Sequence, residues 1–310
     1  MKVVFLGTPD FAIPSLRALL DAGYEVSAVI TQPDRPRGRG HKLNPCEVKK
    51  YAMSKGLNVR SFKRIRDKEG VDFLKSLDFD VMVTAAFGQI LSQEILDIPK
   101  YGCINVHASL LPKYRGPAPI QWAIIKGETE TGITTMLTER GVDTGDILLQ
   151  DRTFIDTEET AGELFDRLAE MGGYTLIKTL KGLELGTITP IPQNHDEATH
   201  YPMLTKEDGK IDFHKTAQEV KNLVRGVSPW PGAYVTLGSD VLKVWDVDIV
   251  HRTSRRRPGT MVNCDAKNGI VVNTADYEIA LKEVQFAGKR RMEATAALCG
   301  RELDGTKVFE

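Results

Sequence analysis

Short apolar runs alternate with stretches of helical spacing through the first half of the chain. Residues 3–6 (VVFL), closed by Gly7-Thr8-Pro9, read as a strand buried on both faces. Apolar positions at Ile13, Leu16, Leu19 and Leu20 then keep helical spacing up to Gly23, and residues 26–30 form the next strand. Helices over 45–55, 68–77 and the short 92–96, with strands over 59–62 and Val81–Ala85, repeat the pattern. This β-α-β order predicts an α/β domain, Rossmann-like, around a parallel sheet. Residues 103–107 (CINVH) are a further buried strand, 120–126 a helix, and 132–138 and 147–155 two more strands. Thr160-Ala161-Gly162-Glu163 has capping-box spacing and opens an amphipathic helix to about residue 183, with Leu164, Leu168, Met171 and Leu180 facing the core.

The pattern stops at residues 186–201, which hold two X-Pro steps and no periodicity and read as an extended linker. Beyond it, 216–226 predicts one helix. After Pro229-Trp230-Pro231-Gly232, five short β segments follow, at 233–237, 241–250, 259–262, 270–273 and 278–285. Five short strands with turns between them suit a small OB-like β-barrel. The expected organisation is therefore a catalytic domain over 1–188, a linker over 189–204 and a barrel domain over 205–310.

Composition narrows the class. The 310 residues are 41% hydrophobic and 27% charged with a net charge of −1, so bulk charge selects neither a nucleic-acid nor a membrane partner. Charge is uneven, however. Residues from 205 onward carry 17 Lys and Arg against 15 Asp and Glu, so the second part is slightly basic and the first net acidic. Its local clusters are Arg252, Arg255 to Arg257, and Lys289 to Arg291. The four cysteines, Cys46, Cys103, Cys264 and Cys299, lie far apart and fit neither a disulfide framework nor a zinc site. The first residues are too short an apolar run for a signal sequence and no later stretch is long enough to span a bilayer, which predicts a cytoplasmic protein. Residues 33–43 (PDRPRGRGHKL) read as a basic loop, suited either to plain solvation or to ordering on a phosphate backbone.

The candidate chemistry gathers after the CINVH strand. Strand carboxyl ends are where ligands sit in open α/β sheets. Asn105 and His107, two apart, project from one face of that strand, and Asp143 follows on a separate Gly141–Asp146 turn. An amide and an imidazole can both serve one oxygen, and a carboxylate can orient the imidazole. That set suits acyl-type chemistry without a nucleophilic Ser, Cys or metal. A dinucleotide site is disfavoured, because Gly7-Thr8-Pro9-Asp10-Phe11 lacks the second and third glycines of G-x-G-x-x-G.

The residues Asn105-Val106-His107-Ala108-Ser109-Leu110-Leu111-Pro112, Arg115-Gly116-Pro117-Ala118-Pro119 and Asp143-Thr144-Gly145-Asp146 resemble the N-x-H and D-T-G-D pattern of the folate-dependent formyltransferases. Gly7 to Phe11 and Thr31-Gln32-Pro33-Asp34-Arg35-Pro36 narrow the resemblance to members that act on methionyl initiator tRNA, and it covers essentially the whole chain. The resemblance implies 10-formyltetrahydrofolate as donor, methionyl initiator tRNA as acceptor, and Asn105, His107 and Asp143 as catalytic residues. It implies folate contacts at Phe87, Gly88, Ile90, Ser109, Leu110, Leu111 and Pro112. The basic loop then becomes a tRNA arm through Arg35, Arg37, Arg39 and Lys42, and the barrel a second tRNA-holding surface. No metal, membrane or obligate protein partner is expected. Rival readings are a formyltransferase acting on a sugar-nucleotide amine or glycinamide ribonucleotide, a formyl-folate hydrolase, and an RNA-binding protein on an inactive scaffold.

Overall fold

The computed structural model describes residues 1–37, 42–238, 240–253, 255–299 and 308–309. The chain separates into two compact units, one of Met1–Pro119, Glu130–Phe154 and Phe165–Tyr201, the other of Ile120–Thr129, Ile155–Leu164 and Pro202–Glu310.

The first unit is built on a seven-stranded sheet. Its strands are β1 (Lys2–Gly7), β2 (Glu25–Thr31), β5 (Val59–Ser61), β6 (Val81–Ala85), β7 (Cys103–His107), β8 (Glu130–Leu137) and β9 (Ile147–Phe154), in the spatial order β5-β2-β1-β6-β7-β8-β9. Helices α1 (Ile13–Asp21), α2 (Glu47–Ser54), α3 (Lys68–Lys75) and α4 (Gln93–Leu96) connect the parallel strands. The chain order reverses between β1 and β6, which makes their carboxyl ends a topological switch point. Val3, Val4, Phe5, Leu6 and Val81 to Val83 are wholly buried, as continuous apolar runs require in a sheet covered on both faces.

The expectation of a parallel sheet needs one correction. Strands β5 to β7 are parallel, but β8 runs antiparallel to β7, and β9 antiparallel to β8. For β9 the connection gives the reason: only residues 138–146 join it to β8, whereas parallel neighbours need a crossover of a dozen or more residues.

After α5 (Pro119–Ile125), β8 and β9, the long helix α6 (Ala161–Glu184) begins at the expected capping box: Thr160 Oγ1 accepts the Glu163 N–H at 3.3 Å, and Glu163 Oε2 accepts the Thr160 N–H at 2.9 Å. Gly172 and Gly173, two of the four glycines in this helix, each cost up to about 1 kcal/mol relative to alanine. At Gly172 an added Cβ would lie 3.0 Å from Val106, and at Gly173 2.9 Å from the Pro14 carbonyl. The missing side chains let α6 lie directly on β7 and α1.

Residues 189–201, expected as part of an extended linker, are instead packed on the first unit. Ile191 exchanges two backbone hydrogen bonds with Ile147 at 2.8 and 2.9 Å. Arg115 donates its N–H to the Thr199 carbonyl at 2.9 Å and accepts from the Tyr201 N–H at 3.0 Å. The rings of Tyr114 and Tyr201 stack at 5.1 Å. Proline content and lost periodicity mark extended backbone correctly, but say nothing about whether that backbone finds a groove to occupy.

Residues 33–43 also differ from a plain loop. Its flanks form the antiparallel pair β3 (Arg35–Arg37) and β4 (Lys42–Asn44), in register Arg35↔Asn44, Pro36↔Leu43 and Arg37↔Lys42. Arg39 and His41 lie outside the described residues.

The second unit contains α7 (Ala217–Gly226) and six antiparallel strands: β10 (Ala233–Leu237), β11 (Asp240–Val250), β12 (Met261–Asp265), β13 (Gly269–Asn273), β14 (Glu278–Phe286) and β15 (Met292–Glu293). The pairing path is β10-β11-β14-β13-β12, with β15 on β14. Its core joins Val235, Val244, Val247, Val272, Ile279 and Val284 to Val220 and Val224 of α7, which a Thr216–Glu219 capping box starts. Five strands stand within three residues of their expected bounds. The sixth, and α8 (Ala294–Leu298), lie outside the sequence expectation, since a two-residue strand carries no period.

Candidate active site

Strand β7 places Asn105 and His107 on the same face as Cys103, whose side chain joins the core. Burial pushes the Cys103 thiol up to about 12, so it is neutral and no nucleophile near pH 7. Asn105 is held by its neighbour on β6: the Thr84 hydroxyl donates to Asn105 Oδ1 at 3.0 Å. With its carbonyl committed inward, the amide presents its NH2 group as a donor.

His107 is buried, and its Nε2 lies 3.0 Å from the Tyr114 carbonyl. A carbonyl only accepts, so Nε2 carries the proton. The other nitrogen, Nδ1, stands 3.7 Å from Asp143 Oδ1. Asp143 Oδ2 accepts the Gly116 N–H at 2.8 Å. The loop 114–116 thus supports both members of the pair, orienting the imidazole through Tyr114 and the carboxylate through Gly116. The structure brings together the three groups that the sequence placed on two separate segments.

Backbone strain concentrates here. Among the described residues the non-glycine positions with left-handed φ are Ala86 (45°), Tyr114 (59°) and Asp143 (53°). One follows β6 and the other two are the residues just described. Such conformations cost on the order of 1–3 kcal/mol each and persist where surrounding contacts over-determine them, typically at functional sites. The turn around Asp143 is closed tightly, since a Cβ on Gly145 would fall 1.8 Å from the Leu137 carbonyl oxygen.

The expected folate contacts divide. Segment 109–112 is fixed from behind by Thr134, whose hydroxyl donates to the Ser109 carbonyl at 2.6 Å and accepts the Leu111 N–H at 3.1 Å. Gln150 Nε2 donates to the Leu111 carbonyl at 2.8 Å. The Ser109 hydroxyl is itself committed to the Lys113 carbonyl at 2.7 Å, and Leu111 is buried, while Leu110 and Pro112 are half-exposed. Ile90 is 68% exposed and Gly88 has φ +75°, as a ligand-facing loop allows. The ring of Phe87 is buried in the core, and its carbonyl accepts from Thr8 Oγ1 at 3.1 Å and Gln32 Nε2 at 3.0 Å. An aromatic residue after a strand reads equally as platform or core, and only packing separates the two.

A cavity of about 220 Å³ opens at the carboxyl ends of β1, β2 and β6, lined by residues including Thr8, Gln32, Arg35, Asn44 and Ala86. Arg35 is exposed and donates to Gln32 Oε1 at 2.5 Å. Arg37 and Lys42 are placed by their backbone on the β3–β4 pair, and Arg39 lies outside the described residues. In the second unit, Lys243 and Arg291 each sit 5.3 Å from the ring centre of Trp245. Among the described residues no cluster of His, Cys, Asp or Glu could hold a metal, and no helix is long and apolar enough to cross a membrane.

Nothing in the sequence pattern marks Thr84 or Gln193, which support this site from behind. Gln193 sits in the stretch read as linker, and a lone buried amide leaves no pattern.

Comparison with known proteins identifies the family. The family model for Formyl transferase matches residues 1–180, and that for Formyl transferase, C-terminal domain, matches residues 203–302. The methionyl-tRNA formyltransferase of Clostridioides difficile is 48% identical over 308 residues, covering 99% of this chain and 98% of the relative. That of Lachnospira eligens is 46% identical over 309 residues, covering 98% of each. Among solved structures, an N-formyltransferase from Helicobacter canadensis, in complex with folinic acid and dTDP-3-aminofucose, superposes with a TM-score of 0.69 at 20% identity. It covers 94% of this chain and 100% of its own. The methionyl-tRNA formyltransferase of Clostridium thermocellum gives 0.57 at 18% identity, covering 81% and 94%. At those identities the structures speak for the fold, while the full-length relatives speak for kinship: the chain belongs to the formyltransferase family, on its methionyl-tRNA formyltransferase branch.

Proposed function

We propose that the protein transfers the formyl group of 10-formyltetrahydrofolate to the α-amine of methionine on initiator tRNA. The observation that carries this reading is the meeting of His107 Nδ1 and Asp143 Oδ1 at 3.7 Å, beside the outward amide of Asn105, at the carboxyl edge of the sheet.

The neutral amine attacks the formyl carbon and negative charge builds on the formyl oxygen. The Asn105 NH2 donates to that oxyanion, a contribution of about a hundredfold or more in rate for one such donor. Because Nε2–H is committed to the Tyr114 carbonyl, neutral His107 offers only the lone pair of Nδ1 towards Asp143. In that state it accepts the proton released by the attacking amine. As imidazolium, with Nδ1–H facing Asp143, it donates. The C–N bond to the folate nitrogen then breaks, and that nitrogen takes the proton as tetrahydrofolate leaves. Transfer between two nitrogens is balanced in atoms and electrons by these groups alone.

The donor is assigned to the surface formed by Gly88, Ile90 and the 109–112 segment, with Phe87 as its underlying support. The cavity of about 220 Å³ is smaller than the roughly 300–1,000 Å³ usual for a drug-sized ligand. Arg35, Arg37, Arg39 and Lys42 are assigned to the tRNA backbone, as is the Lys243, Trp245 and Arg291 group of the second unit.

The test is formyl-methionine yield from 10-formyltetrahydrofolate with methionine-charged initiator tRNA, charged elongator tRNA, or a dTDP-amino sugar. Transfer to initiator tRNA well above both others is expected. Transfer to the sugar alone, or to none, overturns the reading.

A further inference from the structure

We infer that Gln193 is a positioning residue for the transfer, holding the Asp143 turn against Arg115 and so setting the Asp143–His107 geometry; the inference rests on the formyl-transfer reading. The side chain is 6% exposed, and every hydrogen-bonding function of its amide is used. Nε2 donates one proton to the Asp143 carbonyl at 2.9 Å and the other to the Gly145 carbonyl at 2.7 Å. Oε1 accepts from Arg115 twice, from Nε at 3.1 Å and Nη2 at 2.6 Å. An amide has two donor protons and two acceptor lone pairs, so this is full satisfaction of a buried group.

The two sides of that bridge are the two sides of the site. Arg115 lies between Tyr114, whose carbonyl accepts from His107 Nε2–H, and Gly116, whose N–H donates to the Asp143 carboxylate. Asp143 holds a left-handed backbone at φ 53°, which relaxes unless both its ends are fixed. Gly116 fixes the side-chain end and Gln193 fixes the carbonyl end.

Arg115 is 3% exposed, and among the described residues its guanidinium forms no ion pair with a carboxylate. Its charge is held by hydrogen bonds to neutral acceptors, Gln193 Oε1 and His195 Nδ1 at 3.1 Å. A guanidinium only donates, so His195 accepts at Nδ1 and is neutral in this arrangement. An Arg115–carboxylate pair would be the simpler way to bury that charge. A glutamine at 193 gives up the ion pair but gains two donors for the Asp143 turn, which a glutamate cannot supply. Chain order explains the route. Thr199 and Tyr201 tie the same segment to Tyr114 and Arg115, through the Tyr114 N–H to Thr199 Oγ1 at 2.8 Å and the Tyr201 N–H to the Arg115 carbonyl at 3.0 Å. Residues 193–201 therefore brace the 114–116 loop as a unit, with Gln193 as the one member that also reaches the Asp143 turn.

The experiment compares wild type, Gln193→Met and Gln193→Glu by steady-state kinetics with 10-formyltetrahydrofolate and methionyl initiator tRNA. Met keeps the length without donors, and Glu keeps the acceptors for Arg115 while losing the donors. Both are expected to lower kcat about 10- to 100-fold, the scale set by small misplacement of a catalytic group, with KM for either substrate within threefold of wild type. In an Asp143→Asn background the same substitutions are expected to add less than threefold, because their effect runs through Asp143. Should Gln193→Met not fold, Gln193→Glu carries the same comparison, as it retains the contact with Arg115. Unchanged kcat in either folded variant overturns the inference, as does a full multiplicative loss on top of Asp143→Asn. A wild-type protein that transfers no formyl group overturns the functional reading instead, and separates the two failures.

Discussion

Thr84→Val is the sharpest perturbation of the oxyanion donor, because it leaves Asn105 in place and removes only what aims it. Valine matches threonine in shape, and position 84 is 7% exposed on β6, so the sheet has no reason to move. What is lost is the hydroxyl that donates to Asn105 Oδ1 at 3.0 Å. A typical intramolecular hydrogen bond is worth about 0.5–1.5 kcal/mol net. If that energy is the bias that keeps the amide carbonyl inward and the NH2 outward, its removal lets the flipped amide compete. The flipped form offers an oxygen to the developing oxyanion and does not catalyse. A bias of that size keeps about 70–93% of the amides in the catalytic orientation, and without it the two orientations are equally populated, so kcat is expected to fall about 1.4- to 1.9-fold. The full loss of the donor in Asn105→Ala is larger, about a hundredfold or more. Thr84→Ser keeps the hydroxyl and is expected to keep the wild-type rate. The assay is single-turnover formylation of methionyl initiator tRNA at saturating donor, so that binding does not enter. Thr84→Val at wild-type rate, or Thr84→Ser as impaired as Thr84→Val, would show that the hydroxyl does not orient Asn105.

Asn105→Ala, His107→Ala and Asp143→Ala are each expected to retain wild-type circular dichroism and to lose at least about two orders of magnitude in turnover. Near-normal transfer in any two of them removes the assignment. Arg35→Ala, Arg39→Ala and a shortened 36–42 segment are expected to raise KM for charged tRNA and reduce the salt dependence of binding, with KM for the donor unchanged. Activity on charged initiator tRNA that survives all three at ordinary salt would remove the recognition arm. Burial raises the Cys103 thiol from about 9 to about 12, so the folded chain keeps a proton that the unfolded chain releases above pH 9. Its contribution to stability is present below pH 9 and declines between 9 and 12. Native-state alkylation at pH 8 is expected to modify exposed Cys299 and leave Cys103 intact, and rapid labelling of Cys103 would contradict its packing.

The sequence alone determined most of the elements and named the candidate reacting groups. Runs such as 3–6 and Val81–Ala85 have no polar face to turn to water, so they had to become doubly covered strands. The spacing of two residues between Asn105 and His107 placed both on one strand face, as the period of a strand demands. The capping box at Thr160 located the start of α6 because its two hydrogen bonds are local. What tertiary structure decided was everything carried by contact between distant segments. The direction of β8 and β9, the burial of Phe87 and the seating of residues 189–201 depend on partners far along the chain, and periodicity carries no record of partners. The proton on His107 Nε2 follows from the Tyr114 carbonyl, and the outward amide of Asn105 from Thr84 on the neighbouring strand. Local pattern names the groups that can react. Only the folded chain, through hydrogen bonds between residues as far apart as Arg115 and Gln193, decides how they are aimed.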